Sequence, residues 1–88
     1  SHFIDILHKK KDYIRICNVY ELIKAEIPLS HLDDAIIEKI AEALYELDMF
    51  RDALNLYLLN PKKNIKKIAI IYNQLGRYKE TINLLMPL

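Results

Sequence analysis

The residues 48–57 and 76–85 carry one pattern twice, and this repetition constrains the chain more than any other feature. Asp48 and Gly76 stand at a turn position, and an aromatic follows two places later at Phe50 and Tyr78. A small residue comes next at Ala53 and Thr81, then an aliphatic at Leu54 and Ile82 and bulky apolar residues beyond. The segment before each turn repeats at the same offset, Ile37, Ile40, Ala41 and Leu44 matching Ile65, Ile68, Ala69 and Tyr72. A weaker copy lies 37 residues before the middle one, with Lys11, Tyr13, Ile16, Cys17 and Tyr20 in the same slots. Such a unit cannot bury its apolar faces alone and must stack on its neighbours.

The unit is helical. Between 31 and 47 the apolar residues Leu32, Ala35, Ile36, Ile40, Ala41, Ala43, Leu44 and Leu47 recur in steps of three and four. Ser30 is the expected cap of this helix, Asp33 and Asp34 suit its positive end, and Pro28 ends what precedes it. Asp12 is the expected cap of a helix over 13–26. Further helices are expected over 50–59, over 62–75 after an Asn60-Pro61 start, and over 77–86 closed by Pro87. Residues 2–9 read as the tail of an earlier helix. No segment alternates with period two, and one Gly with three Pro is too little punctuation for an all-β chain. The expected fold is all-α, one domain of about five helices in hairpins over 2–27, 30–59 and 61–86.

The stretches ALYELDMFRDALNLY and IAIIYNQLGRYKETINLL, with LHKKKDYIRICNVY as a degenerate copy, resemble the tetratricopeptide repeat (TPR) family. The resemblance implies antiparallel helical hairpins stacked as a right-handed α-solenoid, a scaffold for other proteins. The small residues Ala41, Ala53, Ala69 and Thr81 would let helices approach closely, and Phe50 and Tyr78 would pack under the hairpins. The spacings depart from the family's period of about 34 residues, and Ile37 and Ile65 stand where the family has a large aromatic. Irregular helical-hairpin solenoids like those of vesicle-coat subunits share the architecture. The C-terminal run Leu84, Leu85, Met86, Pro87, Leu88 offers no polar cap, so the ends are expected to continue an array or to pair with another copy or chain.

Nothing in the chain reads as catalytic. His31 and Asp33 would lie about 200° apart around a helix, with no second His at i+4. His2 and His8 with Asp5 are no better, and His2 stands in a Ser-His pair of the kind left by cloning. Cys17 has apolar neighbours and reads as a small buried hydrophobe. A single Cys excludes an internal disulfide and a Cys-based zinc site. One Gly excludes a phosphate-cradling loop. No cofactor or metal is expected.

The net charge of +1 hides an asymmetry. Residues 31–52 hold seven acidic against two basic residues, and 60–80 hold six basic against one acidic. Asp34, Glu38, Glu42 and Glu46 form a stripe at four-residue spacing, and Lys62, Lys63, Lys66 and Lys67 a basic face on the helix that follows. By the resemblance, the first helix of each hairpin lines a concave groove. Ala35, Glu38, Glu42, Tyr45 and Glu46 would face it from one helix, and Lys63, Lys66, Lys67, Ile70, Asn73 and Gln74 from the other. The groove would hold a peptide or a partner helix. The alternative is that the two faces pair with each other and otherwise sit in water. Lys63 and Lys67 also fall where some members grip a terminal carboxylate, but Lys39 replaces the family's Asn.

The expected function is thus a non-catalytic protein–protein interaction module, with self-association through the apolar ends as the alternative. RNA binding through Lys9, Lys10, Lys11, Arg15 and the later lysines is a second alternative, opposed by the acidic middle. No apolar run approaches a membrane span, and without a targeting segment residence in the cytosol is the default expectation.

Overall fold

A computed structural model describes residues 2–85 as six α-helices, with no strand among them. They are α1 (His2–Lys9), α2 (Tyr13–Glu26), α3 (Asp34–Glu46), α4 (Phe50–Tyr57), α5 (Ile65–Gln74) and α6 (Tyr78–Leu85). A 3₁₀ turn over Leu29–His31 joins α2 to α3. The count exceeds the expected five because residues 2–9 form a helix of their own. Ile4 and Leu7 are buried in the core and hold it there. Ser1 and residues 86–88, among them the expected stop at Pro87, lie outside the described residues.

The helices pack as consecutive neighbours: α1 with α2, α3 with α4, α5 with α6, and across the pairs α2 with α3 and α4 with α5. α1 also packs on α3, and α5 reaches α3 through the Lys67 side chain. The result is elongated, 41 × 23 × 22 Å, with a radius of gyration of 13.4 Å. A compact domain of this length would have about 12 Å. The core runs along the long axis through Ile16, Ile40, Leu44, Leu56, Ile68 and Ile71, all essentially without solvent contact. Ala41, Ala43 and Ala53 are fully buried too, and their short side chains let α3 approach its neighbours.

The turns that close α1, α3 and α5 are one motif used three times. Lys11, Asp48 and Gly76 have φ of 56°, 61° and 72°, the positive values of a left-handed residue. The Lys11, Asp48 and Gly76 amides donate to the carbonyls of His8, Tyr45 and Asn73, at 3.0, 3.0 and 3.1 Å. The next amides, of Asp12, Met49 and Arg77, reach back to Leu7, Leu44 and Tyr72 at 3.0, 2.9 and 2.7 Å. This paired capping satisfies the last carbonyls of each helix. The three left-handed residues occupy the turn slot of the sequence repeat, so the repeat is a repeat of backbone geometry.

Two helix starts differ from expectation. Ser30 lies in the 3₁₀ turn, and Asp33 is the residue that precedes α3. Pro28, extended at ψ 141°, leads into that short turn, so the α-helix begins later. Pro61 does not open α5: residues 61–64 are a turn, and the helix starts at Ile65. Both the backbone amide and the side-chain amide of Asn64 donate to the Asn60 carbonyl, at 3.3 and 3.0 Å, and fold the turn back on itself. Asp12 caps α2 as expected, its carboxylate accepting the Arg15 amide at 3.3 Å.

Candidate functional site

The first helices of the three hairpins, α1, α3 and α5, flank a groove of about 350 Å³. Its α3 wall is Ala35, Glu38, Lys39 and Glu42, residues spaced so that they share one helix face. Asn64 and Lys67 contribute from the α5 side, and His8 from the end of α1. Tyr57, from the return helix α4, forms the floor.

Each charged wall residue meets an opposite or aromatic partner. The Lys63 ammonium donates to Glu38 Oε2 at 2.8 Å and ties the turn before α5 to α3 across the rim. His8 donates through Nε2 to Glu42 Oε2, and Lys39 to Asp5. Both of these contacts link residues 34 apart in sequence, one helical turn from each other, so α1 and α3 run parallel and in fixed register. The Lys67 ammonium lies 4.1 Å from the centroid of the Tyr45 ring, and Phe50 meets that ring edge-on at 5.6 Å and 74°. These partners are partly exposed, so each ion pair contributes about 0.2–1 kcal/mol and sets register more than stability. The Glu38 hydrogen bond, first of all, raises the Lys63 ammonium above its ordinary range.

Tyr57 is the deeply buried residue of the groove lining. Only 4% of the residue meets solvent, and its phenol is pushed up to about 12. Burial is the main cause, followed by the carboxylates of Glu42 and Glu38 and then by Tyr45 and Glu46. The same wall acts on Tyr13, whose phenol is raised by burial and then by Glu42 and Glu46. Tyr57 therefore stays a protonated hydroxyl in a field set by carboxylates. It makes no hydrogen bond among the described residues, and no sealed side-chain polar atom there lacks a partner. The hydroxyl is reached from the groove.

Of the residues expected at the concave face, Ala35, Glu38, Glu42 and Lys67 line the groove. Lys63 grips its rim, and Tyr45 lies beneath Lys67. Glu46, Lys66, Ile70, Asn73 and Gln74 are exposed beyond it. The Asn73 carbonyl oxygen accepts the buried Thr81 hydroxyl at 2.9 Å, a tie within the last hairpin. Tyr57, Asn64 and His8 were not foreseen there. A signal for His8 existed: Asp5 and His8 face Lys39 and Glu42 at one constant offset. Tyr57 had none, because the period that places it on a buried face does not say that its tip reaches a groove.

The other singled-out residues lie apart from this site. His31 is exposed in the 3₁₀ turn. Cys17 is buried on α2, its thiol raised by burial first and then by Glu21 and Asp52. Among the described residues no group of three His, Cys, Asp or Glu is gathered where it could hold a metal ion. Nor is any helix there long and apolar enough to cross a membrane. Comparison of the chain with models of known families, with characterised proteins and with solved structures returns no match.

Proposed function

We propose that this chain is a non-catalytic interaction module of TPR-like type that holds a segment of another protein in the groove between α1, α3 and α5. The observation that carries this reading is the groove itself, opening on the three first helices of the hairpins and floored by Tyr57. Three further features support it: the turn motif used three times, the parallel pairing of α1 with α3 at an offset of 34, and the sequence repeat. That offset equals the period of about 34 residues typical of the family. The volume lies near the lower end of ligand sites, about 300–1,000 Å³, which suits an extended segment better than a whole helix.

The test is to reverse the rim charges together, with Glu38→Lys, Glu42→Lys, Lys63→Glu and Lys66→Glu, and to compare the variant with the natural sequence. Nuclease-treated extract of the source cells is passed over each, and stoichiometric partners are identified by mass spectrometry. Loss of a partner from the variant, with helicity by circular dichroism unchanged, is the expected outcome. Equal recovery by both removes the groove assignment.

Tyr78, Ile82 and Leu85 form an exposed apolar stripe along α6, and this favours self-association as a second reading. A strictly monomeric species by sedimentation at ~100 μM would remove it.

A further inference from the structure

The groove is crowded with charge, yet its polar groups are not equally satisfied. Glu38 and Glu42 each engage a partner through Oε2 alone. An ionised carboxylate has two oxygens and about four acceptor sites, so each of these two pocket-lining residues keeps acceptor capacity at Oε1. Tyr57, a residue only 4% exposed, lines the same pocket, and its hydroxyl makes no hydrogen bond among the described residues. The basic groups of the pocket are already engaged: Lys39 by Asp5, Lys67 by the Tyr45 ring, and His8 by Glu42. What the floor lacks is a donor that carries positive charge.

We infer that the groove takes the guanidinium of an arginine from an extended segment of a partner protein, bound by the free oxygens of Glu38 and Glu42 and by the Tyr57 hydroxyl oxygen. The inference rests on the docking reading above and names what docks.

Three properties favour arginine. A guanidinium is planar and carries five N–H donors, so it serves several acceptors that do not lie in one direction. An ammonium is a compact point charge and satisfies such a set less well. A groove of about 350 Å³ admits one long side chain with the backbone that bears it. The pocket also already carries one cation against an aromatic face, Lys67 on Tyr45. The Glu42 and Glu38 carboxylates that line the same pocket would draw a second. A partner carboxylate would meet Glu38 and Glu42 as like charges, while the ammonium groups of Lys39 and Lys67 are already engaged by Asp5 and the Tyr45 ring.

The test uses three blocked pentapeptides, identical except for a central arginine, citrulline or glutamate. Citrulline keeps the length and shape of arginine and removes its charge. Each is titrated to ~10 mM, the range of a single-side-chain contact, into the isotope-labelled chain. Shifts of the Tyr57 ring and of the Glu38 and Glu42 side chains are read by NMR. The arginine peptide is expected to shift these signals saturably, and the other two are not. Tyr57→Phe keeps the ring and the fold, and should weaken the arginine peptide about fivefold; Glu42→Gln should weaken it about tenfold or more. Citrulline binding as well as arginine would overturn the inference and leave groove docking standing. Stronger binding of the glutamate peptide would do the same. No response to any peptide also overturns it, while the charge-reversal capture decides the docking reading separately. Full arginine affinity in both variants would place the peptide elsewhere and overturn the assignment to this floor.

Discussion

The middle hairpin and the last one carry the same pattern and meet different fates. Leu54 in α4 is 4% exposed, and Ile82, its counterpart in α6, is 58% exposed. Tyr57 is 4% exposed and Leu85, in the same slot, 53%. The difference is not in the residues, which are apolar in both copies, but in what lies beyond them. α4 is covered on one side by α3 and on the other by α5, whereas α6 packs on α5. A repeat thus specifies a surface that wants a neighbour on each side, and burial follows from the neighbour. Phe50 and Tyr78 show the same lesson in one pair. Phe50 is half-buried because it meets the Tyr45 ring. Tyr78 was expected to pack under its hairpin and instead is 62% exposed. The position equivalent to Tyr45 is Asn73, too short to offer a ring and committed to Thr81.

The comparison can be broken most directly by matched truncations. Leu54→Ala should lower stability by about 2–5 kcal/mol, the cost of a cavity in a packed core. Ile82→Ala should cost about 0.5 kcal/mol or less, as expected of an exposed site. Equal losses in urea denaturation would mean that α6 is covered in solution.

Tyr57 sharpens the contrast in a different way. Its phenol is held at about 12, above the ordinary value of 10.0. The folded state therefore binds that proton more tightly than the unfolded chain. The stability this contributes is complete below pH 10 and is lost as pH rises from there through 12. The loss amounts to about 2–3 kcal/mol. Ultraviolet absorbance of phenolate should show a late phase that coincides with alkaline unfolding and is absent from Tyr57→Phe. Ionisation of Tyr57 at its ordinary value of 10.0, before the chain unfolds, would show that the middle hairpin is no drier than the last.

The smallest expected effects lie in the turns. Asp48 pays a left-handed φ that Gly76 adopts freely. Asp48→Gly should raise the stability by about 0.5–1 kcal/mol, and Gly76→Ala should lower it by about 1 kcal/mol. No atom lies within 4 Å of a Cβ added at Gly76, so backbone strain alone would be read. Opposite signs in thermal melts would confirm that one turn geometry serves both hairpins, and equal signs would refute it.

What could be read beforehand was local. The period placed α2 over 13–26, as found in Tyr13–Glu26, and the turn slot marked Lys11, Asp48 and Gly76, all three left-handed. What escaped was decided by contacts between distant parts. Pro61 is a plausible first residue of a helix until Asn64 turns back to Asn60. The period over residues 2–9 marks a helix and does not say that Ile4 and Leu7 join the core. Ala35, Glu38, Glu42 and Lys67 of the expected face line the cavity, because charge stripes show which face is wet. The expectation spread along α3 and α5 to Glu46 and Gln74, because a stripe does not show where the neighbouring helix stops covering it. Tyr57 was hidden for the converse reason: an apolar period marks the ring as core and is silent about the hydroxyl at its tip.

The order of helix contacts has a kinetic consequence. The main contacts join elements adjacent in the chain, and α1 with α3 and α5 with α3 skip only one. No long loop must close before the core can form, which places folding in the fast, microsecond-to-millisecond class of helical chains. The pair α3–α4 holds the most deeply packed side chains and is the natural nucleus, with structure spreading from it toward both termini. The groove would then be among the last features to assemble, since its walls belong to all three hairpins and exist only when the outer two have docked on the middle one.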